Sequence, residues 1–199
     1  MKTKKTGRLW GLTAALLLLT AQVDASTVSF VSNPTVSTGQ TFTLDLTGSG
    51  FTDIVDGGGV NLSFDPAVLG VSRVTVDTSV WEWFDNPGTI DNTAGTVSEI
   101  QFASFFDTTG DFAIASIEFN AIGAGTSDLS LTESTLNPFA SGGLLLDPPV
   151  TFLPGSVTVT AVPLPAAFWL LLSGLGMLGG WLMWGENHVR ACVLGNGSR

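Results

Sequence analysis

Cysteine, histidine and basic residues are scarce in this 199-residue chain, and each shortage closes a chemical route. The one cysteine, Cys192, lies in the C-terminal tail, so the segment 26–160 cannot form an internal disulfide and must rely on its core. A domain of that size can do so, since one of about 150 residues buries roughly 68–70% of its unfolded surface. The one histidine, His188, is also in the tail, so no Ser-His-Asp or Cys-His arrangement can be built upstream of it. Between residues 26 and 165, fifteen Asp and Glu face a single base, Arg73, a net of −14 against −10 for the whole chain. Such a surface is repelled by phosphate backbones, which excludes nucleic acid and favours divalent cations or basic partners. The plainer reading of the acid is solubility outside the cell. No repeat of fixed period occurs, and no segment between 26 and 160 has a helical pattern.

The two ends are of a different kind. Lys2, Lys4, Lys5 and Arg8 precede an apolar run over 9–19, and Val23 and Ala25 place small residues at −3 and −1 of a cleavage point. This is the pattern of a secretory signal peptide over 1–25. Near the other end, residues 166–184 carry no charge and are rich in Leu, Gly and Trp. Their length lies within the ~17–25 residues that a helix needs to cross a bilayer core. Val162, Pro163, Leu164 and Pro165 stand directly before that run, and the two prolines cannot continue a helix backwards. Trp169, Trp181 and Trp184 suit membrane interfaces, and the tail 185–199 gives a weak positive-inside signal through His188, Arg190 and Arg199.

The middle of the chain alternates. Val28 and Phe30 mark a first strand; Phe42, Leu44 and Leu46 alternate with Thr and Asp in a second. Gly48-Ser49-Gly50 is expected to turn the chain, and Asp56-Gly57-Gly58-Gly59 to form a flexible loop without the Lys of a phosphate cradle. Val60, Leu62 and Phe64 follow, closed by Asp65-Pro66. A phase change near Ser72-Arg73 predicts a β-bulge, and one between Phe112-Ile114 and Ile117-Phe119 predicts another bulge or burial on both faces. A loop over 77–95 carries three aromatics. Strand character resumes at 97–102, 112–119 and 129–131, and closes at 150–152 and 157–159. Eight or nine short strands with Gly, Pro, Asn and Asp turns predict an all-β, antiparallel sandwich over 26–160.

Candidate binding residues are few. Trp81, Trp83 and Phe84 form an aromatic platform for a sugar ring if the segment is extended, with Trp81 and Trp83 on one face. The alternative, which is preferred, is that they cover the end of the core. Asp53 with Asp56, and Asp107 with Asp111, are expected to place hard oxygen ligands in Gly/Thr-rich loops, as a structural calcium ion prefers, though neither has EF-hand spacing. Paired carboxylates for glycoside hydrolysis have no other catalytic cue beside them.

The segment 28–159 resembles a cohesin-type domain. The resemblance rests on Phe42-Thr-Leu-Asp-Leu46, Val60-Asn-Leu-Ser-Phe-Asp-Pro-Ala-Val-Leu69, Gly110-Asp-Phe-Ala-Ile-Ala-Ser-Ile-Glu-Phe119 and Gly123-Ala-Gly-Thr-Ser-Asp-Leu-Ser-Leu131, with the Asp65-Pro66 turn its most specific part. It implies a jelly-roll sandwich close in architecture to carbohydrate-binding modules. Cohesins of cellulosomes bind dockerins through one sheet face, an analogy of fold from which no contact residue is carried over. The stretch Val162-Pro163-Leu164-Pro165-Ala166-Ala167, with the apolar run behind it, resembles the PEP-CTERM sorting signal of Gram-negative bacteria, with Leu in place of the central Glu. That resemblance implies processing by an exosortase-like enzyme during export. The tail departs from the family pattern, because Gly185-Glu-Asn-His-Val-Arg190 replaces a basic cluster.

The expected organisation is a signal peptide over 1–25, a cohesin-like jelly-roll sandwich over 26–160, a sorting motif over 161–165, a transmembrane helix over 166–184 and a short tail. The expected function is that of a non-enzymatic adhesive or structural protein. It is exported, anchored in the inner membrane and then delivered to the cell surface or an exopolysaccharide matrix. The alternative is a carbohydrate- or protein-binding module using the Trp81/Trp83 region, with a polysaccharide or a surface protein as partner. A secreted glycoside hydrolase ranks last.

Overall fold

Thr, Val and Phe at alternating positions fill a pleated surface with one wet and one buried face, and the segments that carry this pattern are strands. The computed structural model describes residues 25–162 together with Leu170, Leu171 and Ser173. Residues 1–24 of the expected 1–25 leader, the motif residues 163–165, the tail 185–199 and most of the 166–184 span lie outside the described residues. Leu170, Leu171 and Ser173 are helical, and the Ser173 hydroxyl donates to the Leu170 carbonyl at 2.9 Å. Among the described residues, no helix is long and apolar enough to cross a membrane.

The described residues form twelve strands: β1 (Thr27–Phe30), β2 (Thr35–Ser37), β3 (Thr41–Ser63), β4 (Leu69–Val76), β5 (Phe84–Asn86), β6 (Thr89–Asp91), β7 (Thr96–Ala121), β8 (Gly125–Glu133), β9 (Ala140–Ser141), β10 (Leu144–Leu145), β11 (Thr151–Phe152) and β12 (Gly155–Thr160). The number exceeds the eight or nine expected because several are two- or three-residue pairings at the margins. The larger difference is fusion. Stretches expected as separate strands, 42–46 with 60–64 and 97–102 with 112–119, belong to two long strands, β3 and β7. These pair antiparallel from Thr41 opposite Asn120 to Ser63 opposite Thr96, with register shifts where both bend.

The bend lets the same two strands serve both layers of the sandwich. The first half of β3 and the second half of β7 lie between β1 and β4, with β11 beyond β1. The second half of β3 and the first half of β7 lie between β8 and the β5/β6 margin, with β12 and β2 beyond β8. Pairing is antiparallel except for β1 with β11 and β12 with β2. Bulges are present at both phase changes. The register of β4 on β7 shifts between Val71 and Arg73, and that of β3 on β7 shifts between Leu46 and Thr47, which leaves Ile114 between paired Ala113 and Ala115.

Two glycine stretches behave differently from expectation. Gly48-Ser49-Gly50 does not reverse the chain. It bends β3, with Gly50 at φ +75°, and a Cβ on Gly48 would lie 2.4 Å from the Phe112 ring. Gly57-Gly58-Gly59 is not a loop but a buried part of β3. A Cβ on Gly58 would come within 2.9 Å of the Phe139 ring, and one on Gly59 within 2.6 Å of the Ser134 Cβ. The run is stripped of side chains because the segment 134–140 packs directly on it. Ser134, itself buried, accepts the Leu136 and Asn137 amides at 3.1 Å and donates to the Glu99 carboxylate; Asn137 Nδ2 donates to the Gly58 carbonyl at 2.9 Å.

Phe139 and Trp81 fill the space that the bend opens between the layers. Phe139 is 1% exposed, with ring centroids 5.8 Å from Phe51, 5.5 Å from Phe102 and 6.1 Å from Phe152. Away from the bend, Phe64 meets Phe119 edge-on at 6.2 Å across the layers. The free margin of β4 is covered by a side chain: the Asn92 amide accepts from the Val71 N–H at 2.8 Å and donates to its carbonyl at 2.9 Å, occupying hydrogen-bonding positions that another strand would use. Phe139→Ala is expected to lower unfolding free energy by about 3–5 kcal/mol, since the bend cannot collapse into the cavity. Gly58→Ala should also destabilise, because the ring behind it is fixed. Urea unfolding of both variants checks this; a Phe139→Ala loss below about 1 kcal/mol would contradict the plug.

Candidate functional site

The segment 77–86 lays three successive side chains in three different environments. Asp77 starts it as a turn: its carboxylate accepts the Ser79 amide at 3.0 Å and hydroxyl at 2.6 Å, and its carbonyl accepts the Trp81 N–H at 2.9 Å. Trp81 then drops into the core and is 0% exposed. Its indole Nε1–H donates to the Ala113 carbonyl at 2.9 Å, and its ring meets Phe102 at 4.4 Å and Phe112 at 5.2 Å. The next residue, Glu82, grips the bend of β7. One carboxylate oxygen accepts the Ser104 hydroxyl at 2.7 Å and the other the Phe105 amide at 2.8 Å. These two bonds, the Phe105 amide first, hold the Glu82 carboxyl below its ordinary value of 4.5.

Trp83 faces outward. It is 60% exposed, and its ring lies on Phe105 with centroids 4.4 Å apart and planes tilted by 40°. Phe105 and Phe106 are 72% and 73% exposed, and Phe84, in register with Ala103, is also exposed. Two successive phenylalanines can both face solvent because β7 is crimped there: the Ser104 hydroxyl accepts the Phe106 amide at 3.0 Å as well as donating to Glu82. The result is a ledge on two neighbouring segments, built on the Trp83–Phe105 pair with exposed Phe84 and Phe106 next to them in the chain, and tied to the core through Trp81 and to β7 through Glu82. Exposed aromatic groupings of this kind mark interaction surfaces more often than chance scatter.

The residues singled out in the sequence separate. Trp81 and Trp83 do not share a face, because residues 81–83 are not in a strand and the parity rule does not hold there. Trp81 covers core, as the alternative reading had it, and has no surface left for a sugar; Trp83 and Phe84 remain exposed. Asp111 accepts the Ser49 hydroxyl at 2.6 Å and the Gly50 amide at 3.0 Å, which hold its carboxyl below the usual range, and Asp56 accepts the Gly142 amide. Asp53 and Asp107 are exposed in the bends of β3 and β7, so the expected loops are parts of strands. Among the described residues, no three His, Cys, Asp or Glu are placed to hold a metal ion. Val162 is exposed at the end of the described domain; Pro163, Leu164 and Pro165 lie outside the described residues. Phe105 and Phe106 escaped the sequence reading. Their signal was present: adjacent apolar residues in a strand point to opposite faces, so Phe105-Phe106 breaks the alternation that Ile100 and Phe102 establish.

A groove of about 410 Å³ on the outer face of the β1–β3–β7–β4 layer is lined by Asp45, Thr47, Thr75, Asp77 and Ser116. Asp45 accepts the Ser116 hydroxyl at 2.7 Å, and Asp77 is engaged in its own turn. The groove thus offers carboxylates already spent on neighbours and no histidine.

No family model matches this chain, and no curated protein does. Solved structures do. The third cohesin ScaC of Acetivibrio cellulolyticus, in complex with the ScaB dockerin, matches with a TM-score of 0.53 at 15% identity over 68% of this chain and 99% of its own. The non-cellulosomal cohesin of the archaeon Archaeoglobus fulgidus matches with 0.53 at 13% over 69% and 92%, and the cohesin module of a Clostridium perfringens family 33 glycoside hydrolase with 0.53 at 14% over 69% and 98%. At these identities the likeness is one of fold. The domain has the cohesin-like, all-β fold expected of 28–159.

Because its folded-state carboxyl is held low, Glu82 contributes stability that is present above pH 4.5 and lost as pH falls through the lowered value. A carbon-13 carboxyl titration is expected to place its midpoint below 4.5, with the Phe105 amide exchanging faster once Glu82 is protonated. A midpoint at or above 4.5 would remove the grip.

Proposed function

We propose that this protein is a non-enzymatic adhesive module, exported by its N-terminal leader and held at the membrane by its C-terminal segment. A PEP-CTERM/exosortase-like signal at Val162, Pro163, Leu164 and Pro165 then delivers it to the cell surface or extracellular matrix. Its cohesin-like fold is shared with modules that include a cohesin crystallised with a dockerin. The observation that carries the adhesive reading is the ledge: four exposed aromatics fixed by a buried tryptophan on one side and a two-oxygen carboxylate grip on the other. Rigid aromatic area binds well because little side-chain freedom is lost on contact.

The poles of the domain support this arrangement. The chain leaves β12 at Thr160, whose carbonyl accepts the Thr38 amide at 2.9 Å beside the start of β3 and the end of β7. The ledge lies at the other pole, where β3 and β7 bend. The last nine residue steps of β7, from Phe112 to Ala121, alone separate the two by about 30 Å at ~3.3 Å per residue. A domain tethered through 163–199 therefore turns its aromatics away from the tether. Trp83→Ala combined with Phe105→Ala in the full chain is expected to leave export and folding intact but to reduce co-sedimentation with the extracellular matrix on the order of tenfold. Undiminished retention would contradict the adhesive reading. Mass spectrometry of the protein from fractionated cells tests the sorting step separately. Loss of the segment beyond the Pro163–Pro165 motif is expected, and intact 166–199 in every fraction would contradict it.

A further inference from the structure

We infer that the partner of the ledge is a basic, apolar-bearing segment of another protein rather than a glycan or a second copy of this chain. The inference rests on the adhesive reading and narrows it. Charge decides first. Exposed Glu82, Asp85 and Asp107 lie within two residues of the four ledge aromatics. The one base between residues 26 and 165, Arg73, is far along β4 and already paired with Glu118 at 3.1 Å. Among the described residues, no base near the ledge offsets its acid. A second copy carries the same −14 over residues 26–165 and is repelled. A Lys or Arg side chain gains twice, from the carboxylates and from the exposed indole face of Trp83 as a cation–π contact.

Ring geometry decides second. A sugar platform presents flat, accessible ring faces, but Trp83 and Phe105 are in contact and inclined by 40°, so each covers part of the other. Phe84 and Phe106, the chain neighbours of Trp83 and Phe105, are exposed as well and add apolar area. Such a faceted ridge suits side chains of mixed shape, with apolar groups on the phenylalanines and a cation over the indole. The crimp at Ser104 and the Glu82 grip fix the facets before any partner arrives. Glu82 keeps its charge while both its oxygens accept protein donors, so it attracts a cation at long range without needing to be freed.

The test uses the full chain in nanodiscs of phosphatidylcholine and four probes: a short synthetic peptide alternating Lys and Phe, its Glu/Phe and Lys/Ser counterparts, and soluble hydroxyethyl cellulose. Binding is measured for the native chain and for the Trp83→Ala/Phe105→Ala variant, whose melting curve confirms that it is folded. The Lys/Phe peptide is expected to bind the native chain at least about tenfold more tightly than the variant and more tightly than either counterpart. Raising NaCl from about 50 to about 500 mM should weaken it. Trp83-dependent binding of the cellulose without such binding of Lys/Phe would overturn this inference and leave the adhesive reading in place. Equal binding of Lys/Phe by native chain and variant, or of Lys/Phe and Lys/Ser by the native chain, would show charge alone and also overturn it. If no probe binds in a ledge-dependent way, both readings fail.

Discussion

The pairing of β3 with β7 through a shared bend is the constraint on which the rest of this domain depends. Two strands of 23 and 26 residues cannot stay in one flat, untwisted layer, and here they pass from one layer of the sandwich to the other. The passage opens a space between the layers that regular alternation cannot fill. Trp81 and Phe139 enter it from segments outside the long strands, one before β5 and one before β9, and the glycines at 48 and 57–59 make room for the rings and backbone that close over it. Loss of ladder bonds in the bend is offset by side chains acting on the backbone, Glu82 and Ser104 on β7 and Asp111 on β3.

The ledge is the outward product of the same bend. Where β7 crimps to change layers, its alternation fails, and a strand that elsewhere sends one aromatic inward sends two outward. The chain then spends structure on keeping them in place. Burying Phe105 and Phe106 would have been the ordinary outcome for large apolar side chains, and singly exposed ones need no account. Four of them on adjoining, hydrogen-bonded segments do. The acid surrounding them opposes self-association by like-charge repulsion and selects, by charge, what approaches it.

Much of the fold was legible in the sequence. Period-two alternation located the strands, and both changes of phase marked real bulges, because a bulge must flip the parity of the buried set. What could not be read was continuity. Gly48-Ser49-Gly50 and Gly57-Gly58-Gly59 carry the composition of turns, and only their neighbours, Phe112, Phe139 and Ser134, reveal that the missing side chains are a packing requirement inside a strand. The aromatic site was half legible for a related reason. Trp81 and Trp83 have the spacing of a shared face, but that rule holds only in a strand, and the turn set by Asp77 turns one inward and leaves the other out. Phe105-Phe106 could have been found from its break in alternation. The role of Glu82 could not, since its partners Ser104 and Phe105 are 22 and 23 residues away.

A rigid ledge is the central claim, and the motion of the Trp83 indole tests it most directly. Nitrogen-15 relaxation of the indole N–H groups in the full chain is expected to give Trp83 an order parameter near that of core Trp81, about 0.85, despite its exposure. A value for Trp83 below about 0.6 would mean a loose surface side chain and would contradict the account.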